Sequence, residues 1–243
     1  MKSKRKIKIK IKRKRKTKTR RIQKGGGESA YVINLSERTD RWNSFQENFK
    51  DMGLNIKRVD AIKNDTGWIG CALSHVKAIK AAKEEGLPFV LIIEDDAMPT
   101  PNFKIHWPKI RKWLETHKDK WDFFSGGNPY YGFNKIDNKI IPICKIEDIH
   151  IYNSPILSTW FYYLNSSVYD KFIELGASIN KSLWNPIDFW PNKENMKTLC
   201  CTPFLVKPTI TYSNIEKKVR DYNQLNNNSE SIIASIPNET PCD

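Results

Sequence analysis

The 243 residues are enough for one folded domain with a sizeable core, and their formal net charge is +14. The charge is unevenly distributed, since residues 1–24 contain 15 lysines and arginines and no acid. The other 26 basic residues face all 27 acidic ones, so the body is nearly neutral. The basic composition therefore gives no reason to assign an acidic partner to the folded body.

The amino-terminal 24 residues are predicted to form a disordered basic arm, joined to the body by glycines at 25–27. Such an arm suits contact with nucleic acid or an anionic membrane, nuclear targeting, association with a virion, or solubility alone. No stretch is long and apolar enough to cross a membrane, and the amino terminus lacks the apolar core of a signal peptide. We therefore expect an intracellular, cytoplasmic protein.

Strands and helices alternate through the first part of the body. Strands are predicted at 30–35, 54–59 and 89–93, and helices with apolar spacings of three and four at 38–52 and 70–85. This order is a βαβαβ unit, and right-handed crossovers make its sheet parallel. We predict an α/β nucleotide-binding domain with a mainly parallel central sheet over residues 28–222, followed by a polar flexible tail over residues 223–243.

Three consecutive acids, Glu94, Asp95 and Asp96, end the third strand. Carboxylates are too costly to bury together without partners, so they belong at the carboxyl edge of the sheet, where ligands bind in such folds. Because side chains alternate, Glu94 and Asp96 should point to one side and Asp95 to the other. Two converging carboxylates suit a hard divalent cation. The simpler interpretation is a polar strand end before a turn.

The turn after the first strand, residues 34–38, contains no glycine. The turn therefore argues against a dinucleotide-binding enzyme, in which the pyrophosphate approaches a glycine backbone at this place. Instead the next helix begins with Arg38 and Arg41, one turn apart. Paired guanidinium groups suit a nucleotide base or diphosphate, although an exposed basic helix start gives the same pattern.

Three stretches together resemble glycosyltransferase family 25, which includes bacterial lipooligosaccharide galactosyltransferases and collagen hydroxylysine galactosyltransferases. They are Val32-Ile33-Asn34-Leu35 with Arg38, Asp40 and Arg41; Gly70-Cys71-Ala72-Leu73-Ser74-His75; and Leu91-Ile92-Ile93-Glu94-Asp95-Asp96. Their order and spacing are more specific than any one of them alone. Residues 121–124, 159–166 and 208–215 resemble later family segments, although Asn214 stands where an acid is expected.

The resemblance implies a GT-A-like, Rossmann-type nucleotide-binding sandwich, a UDP-sugar donor, a Mn²⁺ or Mg²⁺ ion and inversion at the anomeric carbon. Glu94 and Asp96 are then the expected metal ligands. The expected donor-binding residues are Asn34, Leu35, Arg38, Arg41, Asp60, Ser74, His75 and Asp95. The hexose, galactose or glucose, should pass to a hydroxyl of a glycan, a lipid-linked sugar or a protein.

An inverting transfer also needs a base that takes the proton of the acceptor hydroxyl. Asp188 is the first candidate, because a carboxylate among the aromatic residues of 184–190 is more basic and aromatic faces stack on sugars. The alternative is an acid that caps a turn in a packed patch. Asp122 is the second candidate. The glycine-rich and aromatic loop at 126–132 also fits a sugar site.

Five cysteines form an odd set without metal-ligand spacing, so we expect reduced thiols: Cys71, Cys144, Cys200, Cys201 and Cys242. Cys71 is interpreted as a packed residue rather than a nucleophile. Two other functions remain open. One is a catalytically inactive relative that binds nucleic acid through its basic arm, and the other is a nucleotidyltransferase, which would be better supported by a glycine-rich loop after the first strand.

Overall fold

The computed structural model of the chain describes residues 28–129 and 140–243. The predicted basic arm at 1–24, the glycines at 25–27 and the second half of the loop at 126–132 lie outside the described residues. No helix within the two described ranges is long and apolar enough to span a membrane.

The described chain alternates strands and helices through its first half and is richer in strands afterwards. The helices are α1 (Thr39–Asn48), α2 (Gly67–Glu84), α3 (Phe103–Thr116), α4 (Tyr169–Ala177), α5 (Trp190–Lys193) and α6 (Asn223–Ala234). The strands are β1 (Glu28–Asn34), β2 (Leu54–Asp60), β3 (Phe89–Glu94), β4 (Ala97–Pro99), β5 (Phe123–Ser125), β6 (Ile141–Ile146), β7 (Ile149–Asn153), β8 (Phe161–Asn165), β9 (Thr198–Thr202), β10 (Val206–Pro208), β11 (Thr211–Ser213) and β12 (Lys218–Arg220). The five elements predicted from β1 to β3 are all present, with bounds shifted by no more than about one helical turn.

One eight-stranded sheet forms the centre of the described structure, in the order β2-β1-β3-β8-β5-β9-β7-β6. Strands β1, β2 and β3 are mutually parallel, as the βαβαβ pattern predicts. In the whole sheet six strands run in one direction, and only β7 and β8 run in the other. The predicted α/β class with a mostly parallel sheet is therefore confirmed.

Helices cover both faces of this sheet. In β3, Leu91 and Ile93 pack on the side of α1 and α3, whereas Val90 and Ile92 pack on the side of α2 and α4. All four side chains are buried, which explains why β3 is a continuous apolar run rather than an alternating one. The same alternation separates Cys200 from Cys201 in β9, where the two free thiols enter different parts of the core.

The topology brings distant parts of the chain to one edge of the sheet. Asn34 at the end of β1 is in register with Asp60 at the end of β2, and the neighbouring Ile33 is in register with Glu94. Because β8 is antiparallel to β3, the residues that precede β8 meet the same edge. The backbone amide of Glu94 accordingly donates to the carbonyl of Trp160 at 2.9 Å.

The carboxyl-terminal segment differs from the flexible tail that its polar sequence predicts. Its helix α6 buries Ile233, and a disulfide bond joins Cys242 to Cys144 at the end of the chain. The expectation of reduced thiols is therefore wrong for these two cysteines. Asn238 explains how so polar a segment is held, since its side-chain amide donates to the carbonyls of Cys144 and Ile151.

Loss of the disulfide should destabilise the protein, because it closes a loop across a sequence separation of 98 residues. Cys242→Ser should lower the free energy of unfolding by about 2–4 kcal/mol in urea denaturation under non-reducing conditions. A reductant should bring the wild-type protein to the stability of the variant and leave the variant unchanged. Equal stability of the two proteins without reductant would contradict the disulfide.

Candidate functional site

The three acids at the end of β3 lie between two adjoining cavities. Glu94 and Asp96 line both cavities, whereas Asp95 lines only the first. Glu94 and Asp96 thus share a side, as predicted, although Asp95 and Asp96 lie in the turn after β3 and not in extended chain. The cluster lies at the carboxyl edge of the parallel strands, as the sequence predicts.

The first cavity has a volume of about 220 Å³ and is bounded by the ends of β1 and β3, the first half of α2 and the β11–β12 hairpin. Nine of the ten residues predicted to bind donor or metal line it: Asn34, Leu35, Arg38, Arg41, Ser74, His75, Glu94, Asp95 and Asp96. The tenth, Asp60, has an exposed side chain and lies outside both cavities. Nine of the ten predicted residues therefore lie around a single cavity.

Asp95 is held by partners from two other elements. The Asn34 side-chain amide donates to one of its oxygens at 2.5 Å, and an Arg41 guanidinium nitrogen donates to the other at 2.8 Å. The same nitrogen of Arg41 lies 3.3 Å from Asp96. A single guanidinium group therefore faces two carboxylates, and its one positive charge cannot neutralise both. Negative charge remains in the cluster.

The two predicted arginines, Arg38 just before α1 and Arg41 within it, also bind the β11–β12 hairpin at the first cavity. Arg41 donates to the carbonyl oxygen of Tyr212 at 2.8 Å, and Arg38 donates to the side chain of Asn214 at 2.6 Å. Arg38 is further paired with Asp40 through two hydrogen bonds. The sequence does not predict this use of the arginines, because it depends on a hairpin about 170 residues further along the chain.

Ser74 and Gly70 set the position of α2. The Ser74 hydroxyl donates to the carbonyl of Gly70 at 2.6 Å and accepts from the backbone amide of Ile62 at 2.7 Å. A Cβ atom on Gly70 would lie 2.5 Å from the carbonyl oxygen of Ile62, so the helix can approach the preceding loop only with glycine there. Ser74 thus has both its donor and acceptor engaged within the protein.

His75 is fully buried on the same helix and points at the acidic cluster. Its Nδ1 atom lies 2.9 Å from the Tyr162 hydroxyl, and its Nε2 atom lies 3.4 Å from a carboxylate oxygen of Glu94. Cys71, one turn earlier, lines both cavities. Burial raises the pKa of the Cys71 thiol well above its usual value, and the nearby acids add to the effect, so it is not an activated nucleophile.

The second cavity is larger, about 650 Å³, and aromatic. Its lining includes Trp68, Trp160, Trp184, Phe189 and Tyr222. Asp188 lines this cavity, as expected of a group on the acceptor side. The hydroxyl of Thr159 lies 2.7 Å from Glu94 and 3.2 Å from Asp188, so its single proton is shared between the two carboxylates. Thr159 was missed as a site residue, although it opens the aromatic stretch singled out in the sequence.

The electrostatics of the cluster favour an added positive charge. Burial, together with the charge of Glu94, raises the pKa of Asp188 to about 6. Burial and Glu94 likewise raise the pKa of Asp96. One carboxylate oxygen of Asp96 is buried and has no hydrogen-bond partner. An unpartnered oxygen in a cluster short of cations is the condition that a hard metal ion would relieve.

One sequence interpretation does not fit this geometry, and a second fits it only in part. Asp122 precedes β5 and lies at the opposite edge of the sheet, with its oxygens accepting from Ser167 and from the backbone of Lys197. It is therefore not a candidate base. In the described half of the loop at 126–132, Pro129 lines the second cavity, whereas Gly126 is packed, since a Cβ atom on it would lie 2.5 Å from the Phe161 ring.

The chain is similar to known proteins in both sequence and structure. The signature of glycosyltransferase family 25 (LPS biosynthesis protein) matches residues 66–190, just over half of the chain. No curated protein matches the sequence significantly. The chain is similar in structure to a glycosyltransferase involved in the glycosylation of the major capsid of PBCV-1, with 11% identity, a TM-score of 0.45 and coverage of 67% of this chain and 71% of that one. It is also similar to the nucleoside-diphosphate-sugar pyrophosphorylase from Vibrio cholerae RC9, with 12% identity, a TM-score of 0.36 and coverage of 71% and 70%.

Asp96→Asn should stabilise the metal-free protein, and more so at pH 8 than at pH 5. Because folding raises the pKa of this carboxyl, the folded state binds more protons above about pH 4, and stability falls as the pH rises through the folded-state pKa. We expect a gain of about 1–2 kcal/mol at pH 8 in urea denaturation with a chelator present. The exposed Asp65→Asn is the charge-matched control. An equal gain from Asp96→Asn at both pH values would contradict the raised pKa.

Proposed function

Because this chain belongs to glycosyltransferase family 25, we propose that it transfers a hexose, galactose or glucose, from a UDP-sugar to an acceptor hydroxyl with inversion. The observation that carries the proposal is the half-buried acidic cluster at the junction of two cavities of different character. A transfer reaction needs two substrates that meet at one point. Here Glu94 and Asp96 line both cavities and mark that point.

The donor nucleotide is assigned to the first cavity, with its hexose directed towards the junction. Glu94 and Asp96 are the proposed ligands of Mn²⁺ or Mg²⁺, and the unpartnered oxygen of Asp96 supports this assignment. A cation bound there would neutralise the charge that develops on the leaving diphosphate. Asp95 would act indirectly, by holding Arg41 beside the cluster. Arg38 and Arg41 would keep the β11–β12 hairpin closed over the donor.

The acceptor is assigned to the second cavity, and its aromatic lining favours a saccharide. Aromatic faces such as those of Trp160 and Trp184 stack on the apolar faces of sugar rings. A glycan or a lipid-linked sugar therefore fits this cavity better than a protein side chain alone. The proposed base is Asp188, whose buried carboxylate has a raised pKa and so accepts a proton more readily.

The proposed reaction transfers one proton, forms one bond at the anomeric carbon and breaks another. The carboxylate of Asp188 takes the proton of the acceptor hydroxyl, and the acceptor oxygen bonds to the anomeric carbon as the bond to the UDP oxygen breaks. Thr159, which shares its proton between Asp188 and Glu94, would hold the base in place on the acceptor side. Attack from the side opposite the leaving UDP gives inversion.

An inactive protein that works through its basic arm is less well supported. The cluster, its counter-charge and both cavities are present together in the described residues, as a working transferase requires. A nucleotidyltransferase would use the same acids for phosphoryl transfer. It would release pyrophosphate from a nucleoside triphosphate, whereas the proposed enzyme releases UDP, so the product distinguishes the two.

UDP release from a panel of UDP-sugars is the direct test. One UDP-hexose should be hydrolysed slowly in the presence of Mn²⁺, and the reaction should stop with a chelator. Asp96→Asn should lower the rate by about 100-fold or more, because it removes a charged ligand of the cation. Asp122→Asn, at the far edge of the sheet, should leave the rate nearly unchanged. The proposal fails if no UDP-sugar is hydrolysed and none raises the melting temperature.

Asp188→Asn tests the base separately from the donor site. Transfer to a saccharide acceptor should fall by about 100- to 10,000-fold in kcat, since an amide cannot take the proton. The melting-temperature shift produced by UDP with Mn²⁺ should be retained, because Asp188 lines only the second cavity. Retention of the full transfer rate in this variant would exclude Asp188 as the base.

A further inference from the structure

Cys71, His75 and Glu94 bring three potential metal ligands together beside the acidic cluster. The Cys71 sulfur, a ring nitrogen of His75 and a carboxylate oxygen of Glu94 all lie within 4.8 Å of one another. The Nε2 atom of His75 is 3.4 Å from Glu94 Oε1. A tetrahedral ion with bonds of about 2.0–2.1 Å to nitrogen and oxygen separates those two ligands by about 3.3–3.4 Å. The observed separation of these two ligands is therefore compatible with such an ion.

The ligands are placed by rigid elements rather than by a loop. Cys71 and His75 are four residues apart in α2, so both project from the same face of the helix. Glu94 is the last residue of β3, at the centre of the sheet. Each ligand is thus fixed by the fold before any ion binds.

The environment of His75 is an independent sign of a ligand. The side chain is fully buried, yet its Nε2 atom has no hydrogen-bond partner. Its other ring nitrogen lies 2.9 Å from the Tyr162 hydroxyl. When a histidine binds a metal through one nitrogen, the other commonly donates to such a partner, which fixes the ring and its tautomer. The tautomer in which Nδ1 donates to Tyr162 would leave the lone pair of Nε2 available to an ion held with Glu94 and Cys71.

We infer that Cys71, His75 and Glu94 form a site for a borderline transition-metal ion such as Zn²⁺ or Co²⁺. Thiolate and imidazole ligands select these ions, whereas Mg²⁺ and Mn²⁺ prefer oxygen. The thiol releases its proton to solvent when the ion binds. Cys71 lines both cavities, which gives the ion a path of entry and leaves its fourth position facing the substrates.

A consequence follows for catalysis, and this step alone rests on the proposed function. Glu94 belongs both to the site with Cys71 and His75 and to the proposed Mn²⁺ or Mg²⁺ site with Asp96. One carboxylate cannot serve both ions fully, so Zn²⁺ should antagonise the hard cation in sugar transfer. The proposed site formed by Cys71, His75 and Glu94 does not itself depend on any transferase activity.

Co²⁺ titration of the full-length, chelator-treated protein tests the site without an activity assay. Anaerobic titration should give one Co²⁺ per chain, with the intense near-ultraviolet absorption of thiolate-to-cobalt charge transfer. Zn²⁺ should displace the Co²⁺ and abolish the band. The undescribed residues contain no cysteine or histidine, so they cannot supply its thiolate or an imidazole.

Cys71→Ser should abolish the band, and His75→Gln should weaken binding at least tenfold. Cys200→Ser is the matched control, because Cys200 is a free thiol buried away from the cluster, and it should retain the band. The inference is overturned if the wild-type protein gives no band, or if the band survives in Cys71→Ser. If Cys71→Ser does not fold, X-ray absorption of the Zn²⁺-loaded wild-type protein decides instead. It should show one sulfur at about 2.3 Å, and nitrogen and oxygen ligands alone would overturn the inference.

Discussion

The acidic cluster at the end of β3 is the constraint around which the rest of the site is arranged. Each carboxylate that leaves water must find a partner, and the partners come from separate parts of the chain. Asn34 and Arg41 satisfy Asp95, and Thr159 satisfies Glu94. One oxygen of Asp96 is left without any. The fold thus stabilises the cluster incompletely, and the remaining negative charge is the physical basis of the proposed cation site.

The parallel half of the sheet could be predicted because its signals are local. An apolar run, a glycine at a helix end and the short βαβ connections are all visible within windows of about 20 residues. They predict that the ends of β1 and β3 share an edge, and so they bring Asn34, Arg41 and the acids together correctly. In this part of the sheet, the right-handed crossover rule is enough to convert the order of the strands in the sequence into their arrangement in space.

The other half of the site depends on pairings between distant strands, which the sequence does not specify. Strand β8 lies between β3 and β5 and is antiparallel to both. The start of β8 therefore meets the carboxyl edge of the parallel strands, and Thr159, which precedes β8, lies in the site. The same reasoning explains the error with Asp122, an acid that precedes β5 and therefore lies at the amino edge. Cys144 and Cys242 are likewise too far apart in sequence for any spacing rule to pair them.

Helix α2 shows why a short motif can combine structural and chemical residues. Gly70 lets the helix approach the loop after β2, and Ser74 ties that loop to the helix. Their effect is to press the intervening face of α2 against the end of β3, where Cys71 and His75 reach Glu94. If α2 lay further from β3 by the width of a methyl group, the imidazole of His75 would no longer reach the carboxylate of Glu94. The structural residues therefore determine the distances among Cys71, His75 and Glu94, on which the proposed metal site depends.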